Sequence, residues 1–135
     1  MTATVNLAFG SRVLDKDTGI ILNSQQDDFS IPGIANAYGY TPSPNNFVVG
    51  GKRPLSSTVP SIIEDAKGNV NMIVGAAGGP TIISGALNAI INTLDLKKDL
   101  YSAVGAPRIH HQLMPNKVQL EVGFDKEMER ELAKR

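Results

Sequence analysis

The sequence predicts an α+β chain with mainly antiparallel strands, and three observations carry that prediction. The stretch Asn69–Leu94, NVNMIVGAAGGPTIISGALNAIINTL, has the form of a strand, a glycine turn and a helix. The turn Asp65-Ala-Lys-Gly-Asn69 links its strand to an apolar run ending at Glu64, the pattern of an antiparallel hairpin. Near the start, TVNLAF over Thr4–Phe9 alternates strictly between apolar and small or polar side chains.

In Thr4–Phe9, Val5, Leu7 and Phe9 fall on one face, so a strand is expected over 4–9 with Thr4 and Asn6 pointing the same way. Asp15 to Gly19 reads as a turn, followed by a short strand over 18–22 through Ile20, Ile21 and Leu22. From Asn23 to Arg53 the breakers Pro32, Pro42, Pro44, Gly33, Gly39, Gly50 and Gly51 predict a long loop pinned by Phe29, Ile31, Tyr38, Tyr40 and Phe47. A loop of that length inside a domain is more often functional than not. Strands over 59–64 and 70–75 form the hairpin. Ser56 and Ser57 then stand at the start of one strand and Gly78 and Gly79 at the end of its neighbour, so the two motifs are expected to meet at one sheet edge.

Helix is expected from Pro80 to Leu94, because Ile82, Ile83, Ala86, Leu87, Ile90, Ile91 and Leu94 recur on one apolar stripe. Pro80 suits the first turn, where its missing N–H is not needed. The glycines before it permit close approach, so their N–H groups can face an anion or a charge that develops during a reaction. A shorter helix over Lys97–Val104 is stopped by Gly105 and Pro107, and Arg108–Leu113 is extended. Met114-Pro-Asn-Lys117 is a turn, Val118–Val122 a strand, and Asp125 caps a last helix to Arg135 with Met128 and Leu132 on its apolar side.

At 135 residues the chain reads as one domain over 1–135. Thirteen basic and thirteen acidic residues balance, which offers no electrostatic case for a nucleic-acid or membrane partner. Absence of cysteine excludes disulfides and thiolate metal sites. Adjacent His110 and His111 on a strand cannot both face one metal, and no metal or cofactor is expected. There is no apolar run of membrane-spanning length, no signal-peptide pattern after Met1 and no Asn-x-Ser/Thr sequon, so a soluble chain without an address is expected.

Five motifs in order, Thr4-Val-Asn6, Phe9-Gly-Ser11, Asp27-Asp-Phe-Ser30, Gly51-Lys-Arg-Pro-Leu-Ser-Ser57 and Gly75-Ala-Ala-Gly-Gly79, resemble the small subunit of γ-glutamyltransferases, also called glutathione hydrolases. The resemblance covers nearly the whole chain. It implies the αββα sandwich of the N-terminal-nucleophile hydrolases. It also implies covalent catalysis, in which a threonine exposed by self-cleavage attacks the γ-glutamyl bond of glutathione and passes the acyl group to water, an amino acid or a peptide. Thr4 would take the part of the threonine that hydrogen-bonds the nucleophile. Asn6, Gln25 and Asp28 would hold the donor's α-ammonium, and Ser56 and Ser57 its α-carboxylate. The N–H groups of Gly78 and Gly79 would form the oxyanion hole. Gln25 stands where many members have glutamate, and Pro80 where a polar or basic residue is usual.

By the same resemblance the chain looks like an internal piece of the small subunit. The nucleophile would precede it, an arginine for the α-carboxylate would come from the large subunit, and closing strands would follow. The chain alone is therefore expected to be inactive, with γ-glutamyl compounds and the large subunit as its partners. A non-catalytic γ-glutamyl or amino-acid binding module is the alternative. Thr2, exposed by removal of Met1, is a weaker candidate nucleophile because it shares the strand of Thr4. Without the family likeness, Ser56–Ser57 would read as a strand start, Gly78–Gly79 as packing glycines, Asp27–Asp28 as loop solvation and Gln25 as a surface amide. His110 and His111 read as structural. A phosphate-binding reading of GAAGGPT lacks the lysine and hydroxyl of a P-loop and the spacing of a dinucleotide fingerprint.

Overall fold

The computed structural model describes residues 3–134. Two compact units divide the chain, Met1–Ser57 and Thr58–Arg135.

The first unit is built from turns. Its described residues contain isolated bridges, Leu14 with Ile21 and Ser30 with Phe47 among them, in place of strands. The strand expected over 4–9 is absent. Asn6 sits at φ 64 and breaks the alternation, its N–H donating to Thr4 Oγ1 (3.1 Å) while Gly10 N–H closes onto Asn6 O (3.0 Å). Ser24 N–H reaches Val5 O (3.0 Å) and its hydroxyl Leu7 O (2.8 Å), so the carbonyls here are met by one residue rather than by a ladder. The strand expected over 18–22 shrinks to the bridge at Ile21. Around it run the bonds Ser11 N to Leu22 O, Leu22 N to Val13 O and Asp15 N to Ile20 O, each 2.9 Å, beyond the turn closed by Gly19 N to Asp15 O (2.9 Å). Gly10 packs against this stretch so closely that a Cβ would lie 2.4 Å from Leu22 O.

The long loop carries two 3-10 turns, Gln25–Asp28 and Pro44–Asn46. Asn36 Oδ1 accepts from the N–H groups of Tyr38 (3.0 Å) and Tyr40 (3.1 Å), an arrangement that closes a turn on one side chain. Phe29 is this unit's buried apolar residue.

In the second unit, β1 (Ser61–Glu64) pairs antiparallel with β2 (Val70–Val74), with Ile62 opposite Ile73 and Ile63 opposite Met72. The pairing begins at Ser61 rather than at 59, since Pro60 has no N–H to give a ladder. Asp65 closes the turn: Oδ1 accepts from Lys67 N (2.8 Å) and Asn69 N (2.9 Å), and Oδ2 from Asn69 Nδ2 (2.9 Å). After Pro80 comes α1 (Thr81–Ile90), continued by a π-helical turn, Ile91–Asp95. Buried Ala86 marks its packed face, which meets β2 and the two elements that follow, α2 (Leu100–Gly105) and β3 (Ile109–His110). Helix α2 starts later than Lys97 because Lys97 lies at φ 57 and Asp99 is the cap, accepting from Ser102 N (3.0 Å). Strand β3 pairs antiparallel with β4 (Gln119–Leu120), both shorter than expected. The Arg108–Glu121 ion pair at 2.7 Å clips that hairpin at its open end. Asp125 caps α3 (Lys126–Leu132), which stops short of Arg135, through Met128 N (2.7 Å).

The fold is thus α+β with antiparallel pairing, in two two-stranded sheets among the described residues rather than the broad sheets expected of a sandwich. No helix among the described residues is long and apolar enough to cross a membrane.

The three acceptor bonds hold the Asp65 carboxyl below its ordinary 3.8, with the Asn69 side chain the largest cause. A carboxylate with a lowered folded-state pKa stabilises fully above the unfolded value, and loses that contribution as pH falls through the folded one. The β1–β2 turn should therefore loosen only below about pH 4. Asp65→Asn should remove that acid limb from the exchange rates of the Lys67 and Asn69 amides. An acid limb that survives the substitution would place its origin elsewhere.

Candidate functional site

A polar cluster in the first unit is centred on Asp28. Its carboxylate is half-buried, and Gln25 Nε2 donates to Oδ2 at 2.7 Å. Gln25 is itself set by an Asx-type bond, Gln25 N–H to Asn23 Oδ1 (2.9 Å), at the head of the 3-10 turn. Burial raises the Asp28 pKa above 3.8; the Asn6 side chain opposes the shift and the Asp27 charge adds to it. Asn6 is oriented by Thr4, whose hydroxyl donates to Oδ1 (3.2 Å), and its buried Nδ2 has no partner within hydrogen-bond distance among the described residues, the Asp28 carboxylate being the acceptor it faces. Gln25 Oε1 likewise receives no donor among them. Four predicted residues, Thr4, Asn6, Gln25 and Asp28, are therefore brought together. They offer unused hydrogen-bonding groups and a carboxylate whose charge is only partly compensated.

Asn46 joins this cluster to the predicted serines. Its Nδ2 donates to Asp28 O (2.7 Å) and Ser30 Oγ (3.2 Å), and its Oδ1 accepts from Leu55 N–H (2.8 Å). One amide thus fixes the end of the Gln25–Asp28 turn and the backbone just before Ser56 and Ser57, which close the first unit with Ser56 exposed and Ser57 half-buried. Sequence reasoning missed Asn46. Its partners lie 16 and 18 residues before it and 9 after it, and the local signal, Pro-Asn-Asn, says only "turn".

Gly78 and Gly79 belong to the second unit, at φ 133 and φ 61. A helix start ordinarily leaves four N–H groups without partners. Here Pro80 has none, Thr81 N–H donates to Gly78 O (3.3 Å) and Ile82 N–H to Gly79 O (3.0 Å). Among the described residues no acceptor meets the N–H groups of Gly78 and Gly79, nor those of Ala76 and Ala77 before them, so the glycines are the free donors nearest the helix start. Thr81 Oγ1 also donates to Gly78 O (2.7 Å), bracing the glycine carbonyl from the helix side.

The same unit holds a part-buried chain of hydrogen bonds outside the predicted set. Ser84 Oγ lies 2.7 Å from His110 Nδ1, and His110 Nε2 lies 3.0 Å from Gln112 Oε1. His111 is exposed and bonds Asn116 Oδ1 (3.1 Å), so the two histidines are separately occupied. No group of three or more His, Cys, Asp or Glu among the described residues is placed to hold a metal. Thr2 lies outside the described residues.

These features coincide with one family of folds. A crystal structure of a Helicobacter pylori gamma-glutamyltranspeptidase mutant superposes with a TM-score of 0.87 at 36% identity, covering 99% of this chain and 73% of that one. The family model for gamma-glutamyltranspeptidase matches residues 1–135, and the chain belongs to that family. A glutathione hydrolase proenzyme of Arthroderma benhamiae is 52% identical over 126 residues, 93% of this chain but 22% of its own length. A putative inactive glutathione hydrolase 4 of Arabidopsis thaliana is 47% identical over 123 residues, 90% of this chain and 64% of its own length. This chain therefore spans about a fifth of the fungal proenzyme.

Gly78 tests the turn. An added Cβ would sit 2.5 Å from Thr81 Oγ1, at a backbone angle that side chains rarely adopt. Gly78→Ala should lower stability by about 1–3 kcal/mol in denaturant unfolding. Adding Thr81→Ala should relieve the clash and leave the backbone part of the loss. A neutral Gly78→Ala would show that the turn can adopt another geometry.

Proposed function

We propose that this chain supplies the donor-binding residues and the oxyanion donors of a γ-glutamyl-transferring enzyme of the N-terminal-nucleophile sandwich type, with the nucleophilic threonine on a segment outside this chain. In this reading Asn6, Gln25 and Asp28 hold the α-ammonium of glutathione or another γ-glutamyl compound. Ser56 and Ser57 hold its α-carboxylate, Thr4 hydrogen-bonds the nucleophile, and the N–H groups of Gly78 and Gly79 receive the oxyanion. The large subunit is the partner that completes it.

One observation carries the reading. The Asp28 carboxylate is half-buried, with its charge disfavoured by burial and only partly offset by Asn6. A bound ammonium would supply the missing countercharge. The open Gln25 oxygen beside it adds the second acceptor that an ammonium leaving water needs. Donors of the Gly78–Gly79 kind stabilise a developing oxyanion by about 3 kcal/mol each, but they do not replace the group that forms the covalent intermediate. Binding without turnover is thus the expected behaviour of this chain by itself. A purely non-catalytic role is the second reading, favoured by the 47% identity to a relative named as putatively inactive.

Binding should carry the signature of Asp28. Its folded-state pKa is raised, so ionisation destabilises the fold as pH rises through that value, and the cation-binding form is lost as pH falls through it. Affinity for a non-hydrolysable γ-glutamyl compound, measured by calorimetry, should weaken on acidification at a pH above 3.8, and Asp28→Asn should abolish both the affinity and its pH dependence. A chromogenic γ-glutamyl anilide should show no turnover above background with this chain. Binding indifferent to Asp28 would refute the ammonium assignment, and enzymatic turnover by the chain would refute the placement of the nucleophile.

A further inference from the structure

Helix α1 is tied to β3 by two polar fastenings. Asn88 Nδ2 donates to Ile109 O (3.2 Å), and Ser84 meets the ring of His110, which is 8% exposed. Hydrogen-bond direction in the second can be assigned from its far end. Gln112 Nε2 donates to Met114 O (2.7 Å), which turns Oε1 toward the histidine and requires Nε2 of His110 to carry a proton. In the neutral ring Nδ1 is then bare, and the Ser84 hydroxyl donates to it. Where no bare Nδ1 is offered, the hydroxyl proton turns to its other neighbour, Thr81 O, at 3.2 Å.

That second acceptor belongs to the start of the helix. The Thr81 carbonyl shares its peptide with Ile82 N–H, which donates to Gly79 O (3.0 Å), and a carbonyl that accepts a further bond makes its peptide N–H a stronger donor. We infer that His110 is a positioning residue for the Gly78–Gly79 turn, acting through the Ser84 hydroxyl, which its ring holds toward β3 and which otherwise braces the first turn of α1. For its catalytic meaning this rests on the reading of the two glycine N–H groups as oxyanion donors. The coupling itself is a property of the second unit alone.

Few charged groups surround these two fastenings. Helix α1, TIISGALNAI, has no ionisable side chain, and the residue opposite His110 on β4 is Gln119. Charged or titratable groups of the β3–β4 hairpin are Arg108 and Glu121, paired with each other at 2.7 Å, Lys117 in the connection, and His111, held by Asn116.

The test is nuclear magnetic resonance on the 15N-labelled chain and its variants. His110→Phe frees the Ser84 hydroxyl for Thr81 O and should move the amide shifts of Gly79 and Ile82. In a Ser84→Ala background the same change at His110 should leave those two amides still; a Ser84→Thr background, which keeps the hydroxyl, should restore the response. His111→Gln should change nothing. Amides that ignore His110→Phe, or respond to it equally in the Ser84→Ala background, would overturn the positioning role. Because no turnover is measured, that failure is separate from failure of the oxyanion reading: intact coupling in a protein whose complete enzyme tolerates Gly79→Ala would count against the latter alone.

Discussion

Side-chain oxygens that accept from backbone N–H groups are the constraint on which this structure depends. Apolar burial is scant, with Phe29, Ala86 and Ala103 the buried apolar residues among those described. Burying a large aliphatic side chain contributes about 1.5–3 kcal/mol, whereas a typical hydrogen bond contributes about 0.5–1.5. A chain short of the first must multiply the second. Asn36, Asp65, Asp99 and Asp125 each close a turn or a helix end on one carboxylate or amide. Asn46 does the same between segments far apart in sequence, and the Ser24 hydroxyl spans a similar separation by donating to Leu7 O. Meanwhile Ile62 is 66% exposed and Ile73, its cross-strand partner, 72%. Apolar pairs of that kind mark surface that further protein can cover, as a longer chain of this family has residues to do.

That balance explains which parts of the fold were legible in the sequence. Hairpin β1–β2, helix α1 and the Asp125 cap depend on neighbours in sequence, so their signals are local: a five-residue turn with Asp and Gly, an apolar stripe at helical spacing, a capping aspartate. Thr4–Phe9 is different. Its alternation is genuine, but a strand exists only where an adjacent edge meets its N–H and C=O groups. In the first unit Ser24 alone reaches Val5 and Leu7, and asparagine at position 6 tolerates the left-handed conformation that most residues resist. Periodicity records which face could be buried, not whether a partner is present.

The site divides along the same line. Thr4, Asn6, Gln25 and Asp28 were named from a resemblance, and the structure gathers them; what no motif announced is how they are held. Asn46 and the Ser84–His110 pair act across 9 to 26 residues through groups whose sequence context is a turn and a plain apolar helix. A serine inside a helix carries no mark of what it faces. Only the packing of α1 on β3 supplies the histidine.

Pro80 gives the Gly78–Gly79 turn its chemical character. An ordinary helix start offers a fan of donors suited to a phosphate, whose several oxygens each want a partner. Here the fan is pared down. Thr81 and Ile82 spend their N–H groups on the two glycine carbonyls, and Pro80 has no N–H, so Gly78 and Gly79 are left as adjacent donors. Two donors suit one oxygen better than three. The glycines also lack side chains, which leaves the backbone open to close approach, and the bond from Thr81 Oγ1 to Gly78 O polarises the peptide that carries Gly79 N–H. Pro80, with no N–H of its own, therefore narrows the donors at the helix start to the two glycine N–H groups beside it, which weighs against the phosphate reading on physical grounds as well as by motif.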